Sequence, residues 1–262
     1  MRVFDFDHAI VREPGRSVVD GLRGDPKAEP SYEAVRKEHS AYVAALRAAG
    51  LSVDVLPPLE NFPDSMFVED PALVLPEGAI LLRPGTPTRV GEAEEMRPAL
   101  MRHFDSVLEL KGEEYADGGD VLVTPGMVFI GLSKRTNRAG AEAIKKNLAL
   151  LGREARIVET RGDLLHLKSG VSLPAENAVL TTRAMADTGI FSGLKILLVP
   201  DGEEGAANSL RVNDTMFVGA RFPKTIAMLR SAGYNVAALP VTEINKLDGG
   251  LSCLSLRWRK RR

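Results

Sequence analysis

Apolar residues in this chain fall into short runs closed by turns, and the runs recur in one order: strand, turn, strand, helix, strand. The second block is the clearest. Ser65-Met66-Phe67-Val68-Glu69-Asp70 reads as a short strand with an acidic end, and Ala72 to Leu75 and Ala79 to Leu82 read as strands about the turn Pro76-Glu77-Gly78. A 3.6-residue periodicity then predicts a helix over Glu92 to His103, and Val107 to Leu110 a further strand. The third block repeats this order, with Asp117-Gly118-Gly119-Asp120, strands from Val121 and over Met127 to Ile130, a helix over Ala139 to Leu151 and a strand over Ala155 to Val158. It recurs from His166 through Val199, where the helix is weak, and from Asn208 through Leu239. The first block, Ala9 to Leu56, has a long helix over Tyr32 to Ala49 but lacks one hairpin strand, which the segment Leu251 to Trp258 can supply.

A period of roughly 40 to 50 residues marks radially arranged units, and closure of the first unit by the end of the chain removes an open sheet edge. The expected fold is α/β, a five-bladed propeller of ββαβ units with pseudo-fivefold symmetry, forming a single domain over residues 1–262. A doubly wound parallel sheet is the alternative, and it would need βαβ crossovers in place of the recurring hairpins. In the propeller, equivalent strand ends converge near the axis.

Composition narrows the function classes. With 44% hydrophobic and 26% charged residues and a net charge of −1, the chain has no general attraction for polyanions, so nucleic acid is not an expected partner. The basic run Arg257-Trp258-Arg259-Lys260-Arg261-Arg262 reads as a solvated tail. No apolar stretch is long enough for a membrane span, and Met1 to Ala9 alternates apolar and charged residues, so the expected location is cytoplasmic. One cysteine and four histidines without ligand spacing offer no dedicated metal site.

That single cysteine, Cys253, is either a small buried hydrophobe or a nucleophile with a distant histidine and carboxylate. Taken singly the other candidates are weak. His166 before Leu167-Lys168-Ser169 reads as a residue on a short strand, and Asp117-Gly118-Gly119-Asp120 as a turn whose glycines supply positive φ. Asp248-Gly249-Gly250 has the same reading, and Arg89 and Arg135 could be surface residues.

Together the motifs are far more specific. Phe62-Pro63-Asp64-Ser65-Met66-Phe67-Val68-Glu69-Asp70, Arg83-Pro84-Gly85-Thr86-Pro87-Thr88-Arg89, Asp117-Gly118-Gly119-Asp120, Gly131 to Asn137, His166-Leu167-Lys168-Ser169 and Asp248 to Cys253 closely resemble the dimethylarginine dimethylaminohydrolases. The resemblance runs from Arg16 to Trp258. It implies the five-bladed fold of the guanidino-group-modifying superfamily and cofactor-free hydrolysis of Nω-methylated arginines to citrulline and a methylamine. It also implies Cys253 as nucleophile, His166 as general acid and base, and Asp117 as the carboxylate orienting His166, where some members carry Glu. Asp64, Glu69 and Asp70 fall on the guanidinium-binding acids, Arg89 and Arg135 on the pair holding the substrate carboxylate, and Leu22 and Leu247 near its amino end. The partner implied is a small methylated arginine, and a homodimer is left open.

Elementary chemistry is consistent with those roles. A guanidinium is charged at any biological pH and needs carboxylates, and its resonance-stabilised carbon calls for a strong nucleophile such as a thiolate. Deiminases of free arginine typically carry Asp two residues after the histidine as a second clamp, where this chain has Lys168. Two alternatives remain: a deiminase-type hydrolase of unmethylated arginine, and a catalytically silent binder of arginine derivatives.

Overall fold

The computed structural model describes residues 2–160 and 164–260, so Arg261 and Arg262 of the basic tail lie outside the described residues. Strands β1 (His8–Arg12) and β2 (Ser52–Leu56) pair in parallel and are linked by helix α1 (Tyr32–Ala48). The second blade holds β3 (Ala72–Leu75), β4 (Gly78–Leu81), α2 (Glu92–His103) and β5 (Val107–Glu109). The third holds β6 (Val121–Val123), β7 (Val128–Leu132), α3 (Arg138–Leu150) and β8 (Ala155–Glu159), and the fourth β9 (Val171–Ala175), β10 (Ala178–Thr181), α4 (Arg183–Ala186) and β11 (Lys195–Leu198). The fifth holds β12 (Leu210–Val212), β13 (Thr215–Gly219), α5 (Pro223–Ser231) and β14 (Asn235–Leu239), followed by the short α6 (Thr242–Asn245). Finally β15 (Leu256–Trp258) returns to pair antiparallel with β1 and completes the first blade.

In every blade the middle strand is antiparallel to one neighbour and parallel to the other, giving five three-stranded sheets. This is the five-bladed α/β propeller, and the hairpins exclude a doubly wound sheet. The closing strand expected from the C-terminal segment is present.

Local chemistry accounts for the elements. Helix α1 begins where Ser31 accepts the Ala34 N–H, and just beyond its end Gly50 takes φ +94°, a left-handed conformation that suits glycine. Its buried residues Val35, Tyr42, Val43 and Leu46 share one face. Leu46 is fully buried, so Leu46→Ala would cost about 2–5 kcal/mol. β3 and β4 are buried along their whole length, because blades cover both faces of each sheet.

Three expectations change. Residues 65–70 are a run of turns, not a strand. Leu167–Ser169 is a turn of 3-10 helix with His166 at its start, and Ser252–Leu254 is another, leaving only Leu256–Trp258 as strand. Similar turns, Gly118–Asp120 and Glu204–Ala207, lead into β6 and β12. These tight turns, rather than strand ends, carry the candidate chemistry to the axis. Such short turns have too few residues to show a hydrophobic period.

Candidate functional site

A cavity of about 240 Å³ opens between the Leu22–Gly24 and Leu247–Gly249 loops. Cys253, His166, Asp70, Asp64, Arg89 and Arg135 line it together with Leu22 and Leu247. Asp117 lies behind it, fully buried, against His166 and 3.8 Å from Arg135. Glu69 does not line this cavity. Glu69 and Asp70 are consecutive in the run of turns, yet their side chains leave it on different sides. Asp70 turns to Cys253, while Glu69 pairs with Lys168 at 2.5 Å and accepts the Ser252 hydroxyl at 2.9 Å.

The imidazole of His166 is held by Asp117, Nε2 to Oδ2 at 2.9 Å, and Asp117 Oδ1 accepts the Gly85 N–H at 2.8 Å. Asp120 supports the turn beneath: its Oδ1 accepts the Leu167 N–H, and its Oδ2 accepts the hydroxyls of Ser133 and Thr136. Thr136 Oγ1 in turn accepts the Asp117 N–H. The glycines of Asp117-Gly118-Gly119-Asp120 do not have positive φ. They are needed for close approach, since a Cβ on Gly119 would lie 2.7 Å from the His166 ring. In Asp248-Gly249-Gly250 the left-handed residue is Asp248, at φ +55°, and its carboxylate accepts the Gly24 N–H.

Burial opposes a charge on His166, but Asp70, the Asp117 hydrogen bond and Asp120 override it and raise its pKa to about 9. The Cys253 thiol is shifted upward as well, and for a thiol that means it stays neutral. Burial, then Glu69 and Asp70, push it up to about 12, against a smaller opposing pull from Lys168. The resting pair is therefore imidazolium and neutral thiol. Burial also raises Asp64. For Asp70 the cations His166 and Arg89 outweigh burial and hold the carboxyl down to about 2.

The two arginines differ. Arg89 is buried and committed: Nη1 donates to Asp70 at 2.6 Å, Nε and Nη2 to Glu92, and Nη2 also to the carbonyls of Asp64 and Phe67. Arg135 lines the cavity, bonds Thr86 through Nη1 and lies 3.8 Å from Asp117, and no carboxylate comes within hydrogen-bond distance of its guanidinium among the described residues. The Leu22 N–H donates to Asp64 Oδ1, while the Leu22 and Leu247 carbonyls accept no hydrogen bond among the described residues.

Asp70, Asp117 and His166 bring ligating atoms within 4.8 Å of one another, the one group of this kind among the described residues. Their carboxylate oxygens already accept N–H groups from Arg89, Gly119, His166 and Gly85, an arrangement that stabilises an imidazolium.

Two residues escaped sequence reasoning. Glu92, at the start of α2, is buried against Arg89, and burial lifts its pKa to about 7. Asn208, just after the turn Glu204–Ala207, points Nδ2 at Cys253 Sγ at 3.8 Å and accepts the Ser252 N–H on Oδ1 at 3.1 Å. The repeat itself is the signal for Asn208. The turn entering β12 corresponds to those carrying Asp117, His166 and Cys253.

Comparison with known proteins agrees with this geometry. A family model described as N,N dimethylarginine dimethylhydrolase, eukaryotic, matches residues 23–187. The N(G),N(G)-dimethylarginine dimethylaminohydrolase of Pseudomonas aeruginosa is 35% identical over 254 residues, covering 97% of this chain and 100% of the relative. That of Streptomyces coelicolor is 32% identical over 255 residues, covering 96% of this chain and 97% of the relative. The crystal structure of a mutant Pseudomonas enzyme complexed with citrulline superimposes with a TM-score of 0.94 at 34% identity, over 97% of this chain and 100% of that chain. The N-terminal domain of a cyanobacterial arginine dihydrolase bound to substrate gives 0.85 at 20% identity, over 97% of this chain and 98% of that chain, a likeness of fold alone. With such identity across essentially the whole of both chains, this chain belongs to the dimethylarginine dimethylaminohydrolase family.

Proposed function

We propose that this chain hydrolyses Nω-methylated arginines to L-citrulline and dimethylamine or methylamine through a covalent adduct on Cys253. The observation that carries this reading is the single cavity holding Cys253, the Asp117-supported His166, the acids Asp64 and Asp70, and Arg135. The substrate's guanidinium pairs with Asp64 and Asp70, and its α-carboxylate with Arg135. Arg89 neutralises Asp70 and Glu92 and so fixes the acid floor, with one Nη1 hydrogen left to share. The open carbonyls of Leu22 and Leu247 suit the substrate's ammonium group.

The resting thiol gives up its proton to solvent when the guanidinium arrives, because that cation offsets the acids that disfavour a thiolate. Sulfur then bonds to the guanidino carbon, and the imidazolium gives a proton to the departing methylamine as its C–N bond breaks. The now neutral His166 deprotonates water, hydroxide adds to the carbon, and as the C–S bond breaks the hydroxyl proton passes to the leaving sulfur, which releases citrulline and restores the thiol beside the imidazolium. Asp117 keeps the imidazole in one orientation through both halves. Asn208 donates to sulfur, and so favours the thiolate and aims it.

Methylated over free arginine is favoured by Lys168. It occupies the position where a second guanidinium clamp would be an acid, and its ammonium is engaged with Glu69 outside the cavity. The test incubates the purified chain with asymmetric dimethylarginine, monomethylarginine and arginine, and quantifies citrulline and each amine. The proposal expects dimethylamine and citrulline in equal amounts. Faster turnover of arginine with release of ammonia would overturn it.

A further inference from the structure

Back to back with the catalytic cavity is a second one, of about 250 Å³, on the propeller axis and lined by residues from β3, β6, β9, β12 and β15. The turns at the axis alternate between the two. Asp70, His166 and Cys253 face the catalytic side, whereas their neighbours Glu69, Lys168 and Ser252 line the rear. The rear walls are largely apolar, with Leu122 and Leu256 among them, yet the floor is cationic.

That floor is unbalanced. Lys168 and Arg257 both approach one oxygen of Glu69, at 2.5 and 3.4 Å, and all three side chains are nearly buried. Arg211 also lines the cavity, where its Nε and Nη1 donate to the carbonyls of Asn213 and Pro174 and no carboxylate lies at ion-pair distance among the described residues. Its guanidinium is stacked 4.5 Å from the Phe4 ring. Two polar atoms of the lining residues, Arg257 Nε and Ser172 Oγ, are buried without a hydrogen-bond partner among the described residues. Two nearly buried cations sharing one carboxylate, with the Arg257 Nε donor unused among the described residues, is an unfavourable arrangement that an anion relieves. Chloride or phosphate would leave the apolar walls unfilled, whereas a carboxylate on a short hydrocarbon body matches both parts.

We propose that this rear cavity is a binding site for a small monocarboxylate, its carboxylate against Lys168 and Arg257 and its apolar body along the axis. The site communicates with the nucleophile. Ser252 Oγ donates to Glu69, and the Glu69 N–H donates to the Cys253 carbonyl at 3.2 Å. A bound carboxylate adds negative charge behind Cys253 and draws on Lys168, so it disfavours the thiolate. Its effect is a lower kcat with KM unchanged.

Trp258, the one tryptophan of the chain, lines the rear cavity and reports on it. The experiment titrates the full chain with sodium hexanoate and follows Trp258 fluorescence, with hexanamide as the uncharged control, each with and without saturating citrulline. Expected are a saturable response to hexanoate that citrulline does not abolish and a far weaker one to hexanamide. Arg257→Gln should weaken hexanoate at least about tenfold. Val123→Phe, which narrows the cavity without touching a charge, should block it. Absence of saturation, an equal response to hexanamide, or loss of the response with citrulline would overturn the assignment. So would unchanged affinity in a folded Arg257→Gln or Val123→Phe variant.

Discussion

Asp117→Asn isolates the charge on which the His166 assignment depends. In the folded chain the imidazole has a pKa of about 9 against an ordinary 6.5, which corresponds to roughly 3 kcal/mol of folding stability from its protonated form. Because the folded pKa is the higher, that contribution is complete below about pH 6.5 and is lost as pH rises through about 9. Burial opposes it, and among the groups sustaining it Asp70 is the largest, followed by the Asp117 hydrogen bond. A hydrogen bond to a charged group contributes about 1.5–3 kcal/mol, so Asp117→Asn should remove about 2 kcal/mol at pH 6. Asparagine can still accept the Gly85 N–H, which limits collateral damage. Urea unfolding of both proteins at pH 6 and pH 10 measures the difference. Buried His39, depressed to about 4, and Glu92, raised to about 7, titrate in both proteins and largely cancel. The gap should shrink by about 2 kcal/mol at the higher pH. A gap that is constant, or that widens with pH, would show that His166 is not held protonated by Asp117.

Iodoacetamide should alkylate Cys253 slowly at pH 7, with a rate that climbs about tenfold per pH unit past pH 10, because the thiol is held near 12; a plateau near neutrality would contradict this. Gly119→Ala should lower kcat at least about a hundredfold while leaving the fold intact by circular dichroism, since the new methyl displaces the His166 ring. Unimpaired turnover would mean the ring has room to spare. Asn208→Ala should reduce kcat about ten- to a hundredfold with little change in KM, and Asn208→Asp should fall further, because it sets an anion beside sulfur. A change confined to KM would assign Asn208 to substrate binding instead.

The blade repeat was legible because its strands are unusually apolar and its hairpin turns explicit, as at Leu73-Val74-Leu75-Pro76-Glu77-Gly78. The turns at the axis were not. Ser65 to Asp70 has the composition of a strand, but local bonds such as the Phe67 N–H to the Asp64 carbonyl, and the tertiary bond from the Glu69 N–H to the Cys253 carbonyl, hold it as turns. Motif likeness brought Cys253, His166, Asp117, Asp64 and Asp70 into one group. It could not tell that Glu69 faces the rear cavity, because the direction of a side chain on a tight turn is set by distant partners, here Lys168 and Ser252. Nor could it find Glu92, whose interest lies only in the buried ion pair with Arg89.

The central claim is that Cys253 attacks the guanidino carbon of a methylated arginine. Acid-quenching the chain during turnover of asymmetric dimethylarginine, followed by peptide mass spectrometry, tests it most directly. The account predicts a transient adduct on the peptide containing Cys253, with the mass of the substrate less dimethylamine, absent in Cys253→Ser. Turnover that continues in Cys253→Ser, or an adduct on any other residue, would contradict it.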